Sequence, residues 1–132
     1  MNIAQREVEG ITILDLDGRL VAGSDSSSLR ERVVELADRK RLNIILNLKR
    51  VEFIDSTGLG TMVMCFTGIQ KQGGALKLLN LSKRHIELLV LTKLTTIFEV
   101  FDDEQDAINS FFPDREVRHF DILNFVKSQE KP

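Results

Sequence analysis

The chain has 132 residues, enough for one ordinary domain and little more. Hydrophobic residues make up 42%, which supplies a real core and excludes wholesale disorder. With 18 Lys and Arg against 20 Asp and Glu the net charge is −2, which argues against a nucleic-acid binder and its basic surface.

A single cysteine, Cys65, excludes an internal disulfide framework. His85 and His119 lie far apart, so no zinc-type cluster and no metal site is expected. There is no Trp or Tyr to build a base-stacking platform. The first residues lack the apolar core of a signal peptide, and no apolar run reaches the roughly 20 residues of a membrane span. The expectation is a soluble, cytoplasmic protein with no membrane contact and no cofactor.

In chain order, Ile3–Val8 and Ile11–Leu16 read as two strands of a hairpin around Glu9-Gly10. Asp17-Gly18 is expected to break the second strand, and residues 21–27, small and polar, to form a loop. Ser28 and Glu31 have the spacing of a capping box, so a helix is expected after Ser28, with Leu29, Val33, Leu36 and Ala37 inward and Arg39-Lys40-Arg41 at its end. The nearly continuous apolar run 42–48 suits a central strand. The segment 51–60 leads into a second helix, with Leu59, Val63, Phe66 and Ile69 as its buried stripe and Gly73-Gly74 as its stop.

Ala75–Leu79 reads as a strand. Ser82 is positioned to cap a third helix with Ile86, Leu89 and Val90 on one side. Thr96–Phe101 reads as a short strand, and Asp102-Asp103 precede a last helix with Ala107, Ile108 and Phe111 inward, stopping near Pro113. Strands alternating with helices imply an α/β sheet with parallel neighbours after an antiparallel start. The domain is expected over 1–113. The extension 114–132, with Val117, Phe120, Ile122, Leu123, Phe125 and Val126, is expected to be an amphipathic helix against the domain or a second copy, making a homodimer possible; its last four residues are expected to fray.

Asp55-Ser56-Thr57-Gly58-Leu59-Gly60 stands where the loop after an apolar strand meets a helix. Hydroxyls and a carboxylate there are N-caps first of all, and the glycines allow close backbone approach. A second reading makes Ser56 an exposed phospho-acceptor. The positive end of the helix dipole tolerates a phosphoryl group there, and a charge of about −1.5 to −2 beside Asp55 would repel a docking partner.

Phe53-Ile54-Asp55-Ser56-Thr57-Gly58-Leu59-Gly60 resembles the signature of STAS domains, in particular bacterial anti-sigma factor antagonists. The resemblance runs from Gly18-Arg19-Leu20 through 44–48 and the signature, then 73–80, to 94–98. It implies a small mixed sheet with helices on one side. It also implies that the serine after the aspartate is phosphorylated by the anti-sigma factor, itself an ATP-using serine kinase, and dephosphorylated by a PP2C-type phosphatase. The dephosphorylated form would bind the anti-sigma factor and release the sigma factor. Carried over, the acceptor is Ser56, with Thr57 a less favoured second site, and the partner-binding residues are Asp55, Ser56, Thr57, Gly58 and Leu59, with Ser24 and Asp25 of the preceding loop. That loop departs from the commonest family form, in which a Leu-Asp pair follows the Gly-x.

No enzyme is expected. A serine hydrolase needs a glycine two residues before its serine and a His–acid pair, and position 54 is Ile. His85 is expected at the surface or at a cap. No Gly-Lys-Ser/Thr of a P-loop follows the glycines. Cys65, Met62 and Met64 read as packing, and Lys83-Arg84 and Arg30, Glu31, Arg32 as solvated faces, with Lys83-Arg84 also able to complement an acidic partner. A structural STAS subunit of a signalling scaffold or lipid-transport complex is the alternative.

Overall fold

The structure, a computed structural model, describes residues 1–122 and 124–126. In chain order it contains β1 (Asn2–Val8), β2 (Ile11–Leu20), α1 (Ser24–Asp38), β3 (Asn43–Ile54), α2 (Ser56–Lys71), β4 (Ala75–Leu79), α3 (Lys83–Leu91), a single 3-10 turn (Leu94–Thr96), β5 (Val100–Phe101) and α4 (Glu104–Asn109). The five strands form one sheet in sequential order. β1 runs antiparallel to β2, and β2 through β5 are parallel neighbours.

The hairpin follows from two residues. Glu9 (φ 53°) and Gly10 (φ 82°) are both left-handed, the conformation a two-residue hairpin turn needs, so Val8 pairs with Ile11. Asp17-Gly18 does not end β2, contrary to the expected break. The register against β3 slips there instead, and the strand continues through the irregularity to Leu20.

Alternation sorts the sheet into two faces. Leu14, Leu16 and Leu20 of β2, Ile44, Leu46 and Leu48 of β3 and Leu76 and Leu78 of β4 form the larger core with α1, α2 and α3. Ile11, Ile13, Ile45, Leu79 and Phe101 point the other way and are covered by Ala107 and Ile108 of α4. The mixed sheet with a helical layer agrees with the expected class, and α4 adds a short helix on the opposite face. Beyond α4, that face carries a polar chain of contacts. Arg6 donates to Asp15 (2.6 Å) and pairs with Glu104, and Asn47 donates to Asp15 (2.7 Å).

Several boundaries move. α1 starts at Ser24, with Gly23 as its N-cap and no side-chain cap, so Ser28 lies inside the helix and the Ser28–Glu31 capping box does not form. Ser26 is buried and its hydroxyl donates to the Val21 carbonyl (2.7 Å), which turns most of the expected loop into the first helical turn. The α1 stripe of Leu29, Val33, Leu36 and Ala37 is buried as read. In α2 the stripe is rotated: Leu59, Met62, Cys65 and Ile69 are buried, while Val63 and Phe66 are half-buried. Burial pushes the Cys65 thiol up to about 11, so it stays protonated.

Ser82 caps α3, accepting from the His85 N–H (3.2 Å), and Ile86 and Leu89 face inward. Val90 is exposed instead. The expected strand 96–101 shrinks to Val100–Phe101 because the 3-10 turn takes up its start. Asp103 caps α4 through the Asp106 N–H (3.0 Å).

The extension is not one helix. Residues 114–121 are irregular, and helical residues are found at 122 and 124–126; Leu123 and residues 127–132, with the expected frayed end, lie outside the described residues. The extension packs on its own domain. The Phe120 N–H donates to the Val100 carbonyl (3.3 Å) and the His119 ring lies 5.3 Å from Phe101. Arg115 pairs with Glu9 (2.8 Å). Among the described residues, no helix is long and apolar enough to cross a membrane.

His85 corrects the surface assignment. It follows the Ser82 cap by three residues, on the same side as Ile86 and Leu89, and is 2% exposed, with neither ring nitrogen hydrogen-bonded among the described residues. Burial, with a smaller contribution from Arg84, lowers its pKa and keeps the ring neutral. The unfolded chain therefore binds more protons below the ordinary histidine value, and stability falls as the pH drops from there through the depressed folded value. His85→Leu is expected to flatten this loss. Urea unfolding of both proteins at neutral and mildly acidic pH measures it, and equal pH dependence would show that the ring is solvated.

Candidate functional site

The candidate site is the junction of β3 and α2, where the chain leaves the sheet at Ile54 and enters a helix two residues later. Asp55 is the N-cap, with extended backbone (φ −90°, ψ −179°). One of its carboxylate oxygens accepts from the Gly58 N–H (2.7 Å) and the other from the Ala22 N–H (3.0 Å). Its own N–H donates to the Leu20 carbonyl (3.2 Å), and its carbonyl accepts from the Leu59 N–H (2.9 Å). One residue thus ties the start of α2 to the loop between β2 and α1, 33 residues earlier.

Charge follows from these bonds. The Gly58 N–H foremost, then the Ala22 and Thr57 N–H groups and the nearby Arg19, hold the Asp55 carboxyl below the usual carboxylate range. The group is ionised at neutral pH.

Ser56 and Thr57 open the helix and are exposed. Asp55 does the capping, so the Ser56 side chain is not needed for it. Gly58 and Leu59 are buried. A Cβ on Gly58 would overlap the Leu20 carbonyl oxygen, so only glycine lets α2 start this close to the end of β2. Leu59 belongs to the core under the helix start. Of the residues expected in the loop, Ser24 is exposed as the first residue of α1, and Asp25 is half-buried and accepts from the Met1 amino group (2.8 Å).

The fold therefore brings the Asp55-Ser56-Thr57 segment beside the end of β2 and the short loop 21–23. Two participants were not singled out from the sequence. The Ala22 N–H acts through its backbone, which leaves no mark on residue type. Arg19 lies with its guanidinium 5.5 Å from the centre of the Phe53 ring, two residues before Asp55. Its only signal was its place in the Gly18-Arg19-Leu20 segment.

Two predictions test this junction. Gly58→Ala is expected to destabilise the protein by about 2–3 kcal/mol in denaturant unfolding, because backbone rather than a flexible side chain must move. Asp55→Asn keeps one carbonyl acceptor. It is expected to preserve the Gly58 bond and release Ala22, raising hydrogen exchange at the Ala22 amide while Gly58 stays protected. The native carboxylate should lose its contribution to stability as the pH falls below the ordinary Asp range through its depressed value, and the Asn variant should lack that acid-side slope.

Known proteins resemble this chain in sequence and in fold. An anti-sigma-B factor antagonist of Bacillus subtilis (strain 168) is 46% identical over 72 residues, covering 54% of this chain and 65% of that protein, so the match spans just under two thirds of the relative's length. An anti-sigma F factor antagonist of Paenibacillus polymyxa is 28% identical over 109 residues, covering 82% and 92%. The crystal structure of a candidate anti-sigma factor antagonist from Thermotoga maritima superimposes with a TM-score of 0.77 at 25% identity, covering 82% of this chain and 92% of that one. The family model of the STAS domain matches residues 2–107, and the chain belongs to the STAS domain family.

Proposed function

We propose that this protein is an anti-sigma factor antagonist, a binding module rather than an enzyme, switched by phosphorylation of Ser56. The observation that carries the reading is the division of labour at the start of α2. Asp55 holds the helix and the neighbouring loop, and Ser56, next to it, is exposed and free of a structural duty. The names of the two relatives support the partner class.

Unmodified, Ser56, Thr57 and the exposed Ser24 present a small polar surface to an anti-sigma factor that is also the serine kinase. Binding it frees the sigma factor and so regulates transcription. Gly58 and Leu59 serve the interface from beneath, by fixing where the helix begins. A phosphoryl group on Ser56 adds about −1.5 to −2 charges beside the ionised Asp55. Desolvating that charge against a partner is costly, so the complex weakens while the fold persists. A PP2C-type phosphatase would restore the binding form in the cytoplasm. The STAS domain is read as 1–113. The contacts of Val117, Phe120 and Ile122 with the domain's own core support reading the extension as part of the same unit.

The test uses the cognate kinase with ATP and calorimetry. Phosphopeptide mapping is expected to place phosphate on Ser56. Ser56→Ala should bind the anti-sigma factor like the parent protein, and Ser56→Asp should bind at least about tenfold more weakly, a loss of roughly 1.4 kcal/mol. An unmodified Ser56, or an Asp variant of unchanged affinity, would overturn the switch.

A further inference from the structure

Lys83 and Arg84 occupy the first turn of α3, directly after the Ser82 cap, and both are exposed. Cations are misplaced there: the dipole favours negative charge at a helix N-terminus, and the first turn of α3 contains no acid. A local rule broken on the surface without a structural gain points to function.

The fold gives these two cations company. Lys49 and Arg50, from the second half of β3, line the same open basin of about 710 Å³. The carboxylates in its lining are Asp17 and Glu52, so cations outnumber acids four to two. The pair between Arg50 and Asp17 is loose, at 3.9 Å with the Arg50 side chain 79% exposed. Arg84 also borders an adjoining hollow of about 250 Å³ with Phe53, Ile54, Leu88 and Leu91, where Glu87 is the one carboxylate among the described lining residues. Leu91 is 81% and Phe53 38% exposed, and the two line the same hollow rather than standing singly. Phe53 in turn lies two residues before Asp55. The basin and the hollow meet at Arg84, so an apolar centre lies beside a basic rim, the composition of a protein-binding surface, three residues along the chain from Ser56. The interspersed Asp17 and Glu52 make it a poor match for the uniform charge of a nucleic acid.

We propose that this face is a second docking surface for the protein that binds at Ser56, and that it receives an acidic segment carrying an apolar side chain. The carboxylates enter the basin of Lys49, Arg50, Lys83 and Arg84, and the apolar group covers Phe53 and Leu91. The inference rests on the reading of Ser56 as a docking point. The basic rim draws the partner in by long-range attraction, and Ser56 decides whether the complex persists.

The experiment measures association and dissociation rates of the full chain with the cognate anti-sigma factor at about 50 mM and about 500 mM salt, which span weak and strong screening. The variants are a triple reversal (Lys49→Glu, Lys83→Glu, Arg84→Glu), Leu91→Ser and Ser56→Asp. Circular dichroism and thermal melting confirm that these exposed substitutions leave the fold intact. The triple variant is expected to associate at least about tenfold more slowly at low salt, with the gap closing at high salt. Leu91→Ser is expected to speed dissociation at least about fivefold.

A triple variant that associates like the parent at both salt concentrations overturns the docking surface, even if Ser56→Asp weakens binding and the switch stands. Slow association of the triple variant beside unchanged binding of Ser56→Asp upholds the surface and overturns the switch. A parent protein that does not bind the anti-sigma factor overturns both. Binding of the parent to phosphatidylglycerol vesicles, lost in the triple variant while partner association is unchanged, assigns the cations to a membrane and overturns the proposal.

Discussion

The geometry at Ser56 depends on one carboxylate. Asp55 accepts N–H groups from Gly58 and Ala22 on its two oxygens, so a helix start and a loop distant in sequence meet on a single side chain. A carboxylate suits this task because it carries several acceptor sites and full charge, and each N–H it takes stabilises the ionised form. Because Asp55 fills the capping role, the next residue can be exposed and altered without unfastening the helix. The close seat of Gly58 on the Leu20 carbonyl fixes the same junction from beneath. The capping duty thereby rests on Asp55 and leaves the exposed Ser56 side chain out of it.

The parallel strand order supplies the wider setting. Each parallel strand is followed by a helix whose N-terminus lies at the C-terminal end of the sheet, so α2 and α3 open toward the same end. Phe53 and Arg84 reach the same hollow by topology rather than by nearness in sequence. The opposite face of the sheet is divided between an apolar patch under α4 and the polar contacts of Arg6, Asp15 and Asn47. The apolar extension passes the exposed edge of β5 and bonds to it through Phe120, which shields an edge that would otherwise invite another strand.

Elements set by local chemistry were legible in the sequence. Glu9-Gly10 makes a two-residue turn, Ala75–Leu79 is a strand at the expected residues, and Ser82 and Asp103 cap the helices they precede. Each depends on neighbours within four positions. α1 starts earlier than the Ser28–Glu31 spacing indicates because one local signal loses to another. Burying Ser26 against the Val21 carbonyl wins an extra helical turn before Ser28. His85 was misread because polarity suggests exposure, whereas its place on the face shared with Ile86 and Leu89 sends it inward. In α2 both candidate stripes are helical, and only the neighbours α2 meets select Met62 and Cys65 over Val63 and Phe66.

Residue order alone carries the class of the fold, the succession of its elements and the Asp55-Ser56-Thr57-Gly58 motif. Those features reside in periodicity, caps and short motifs, which act over a few residues. Three features appear only once the chain is folded: Asp55 reaches Ala22, Gly58 must lack a side chain against Leu20, and Lys49 and Arg50 join Lys83 and Arg84. Each of these is a contact between segments roughly 30 or more residues apart, set by strand pairing and helix placement. A backbone N–H or carbonyl also looks the same under every side chain.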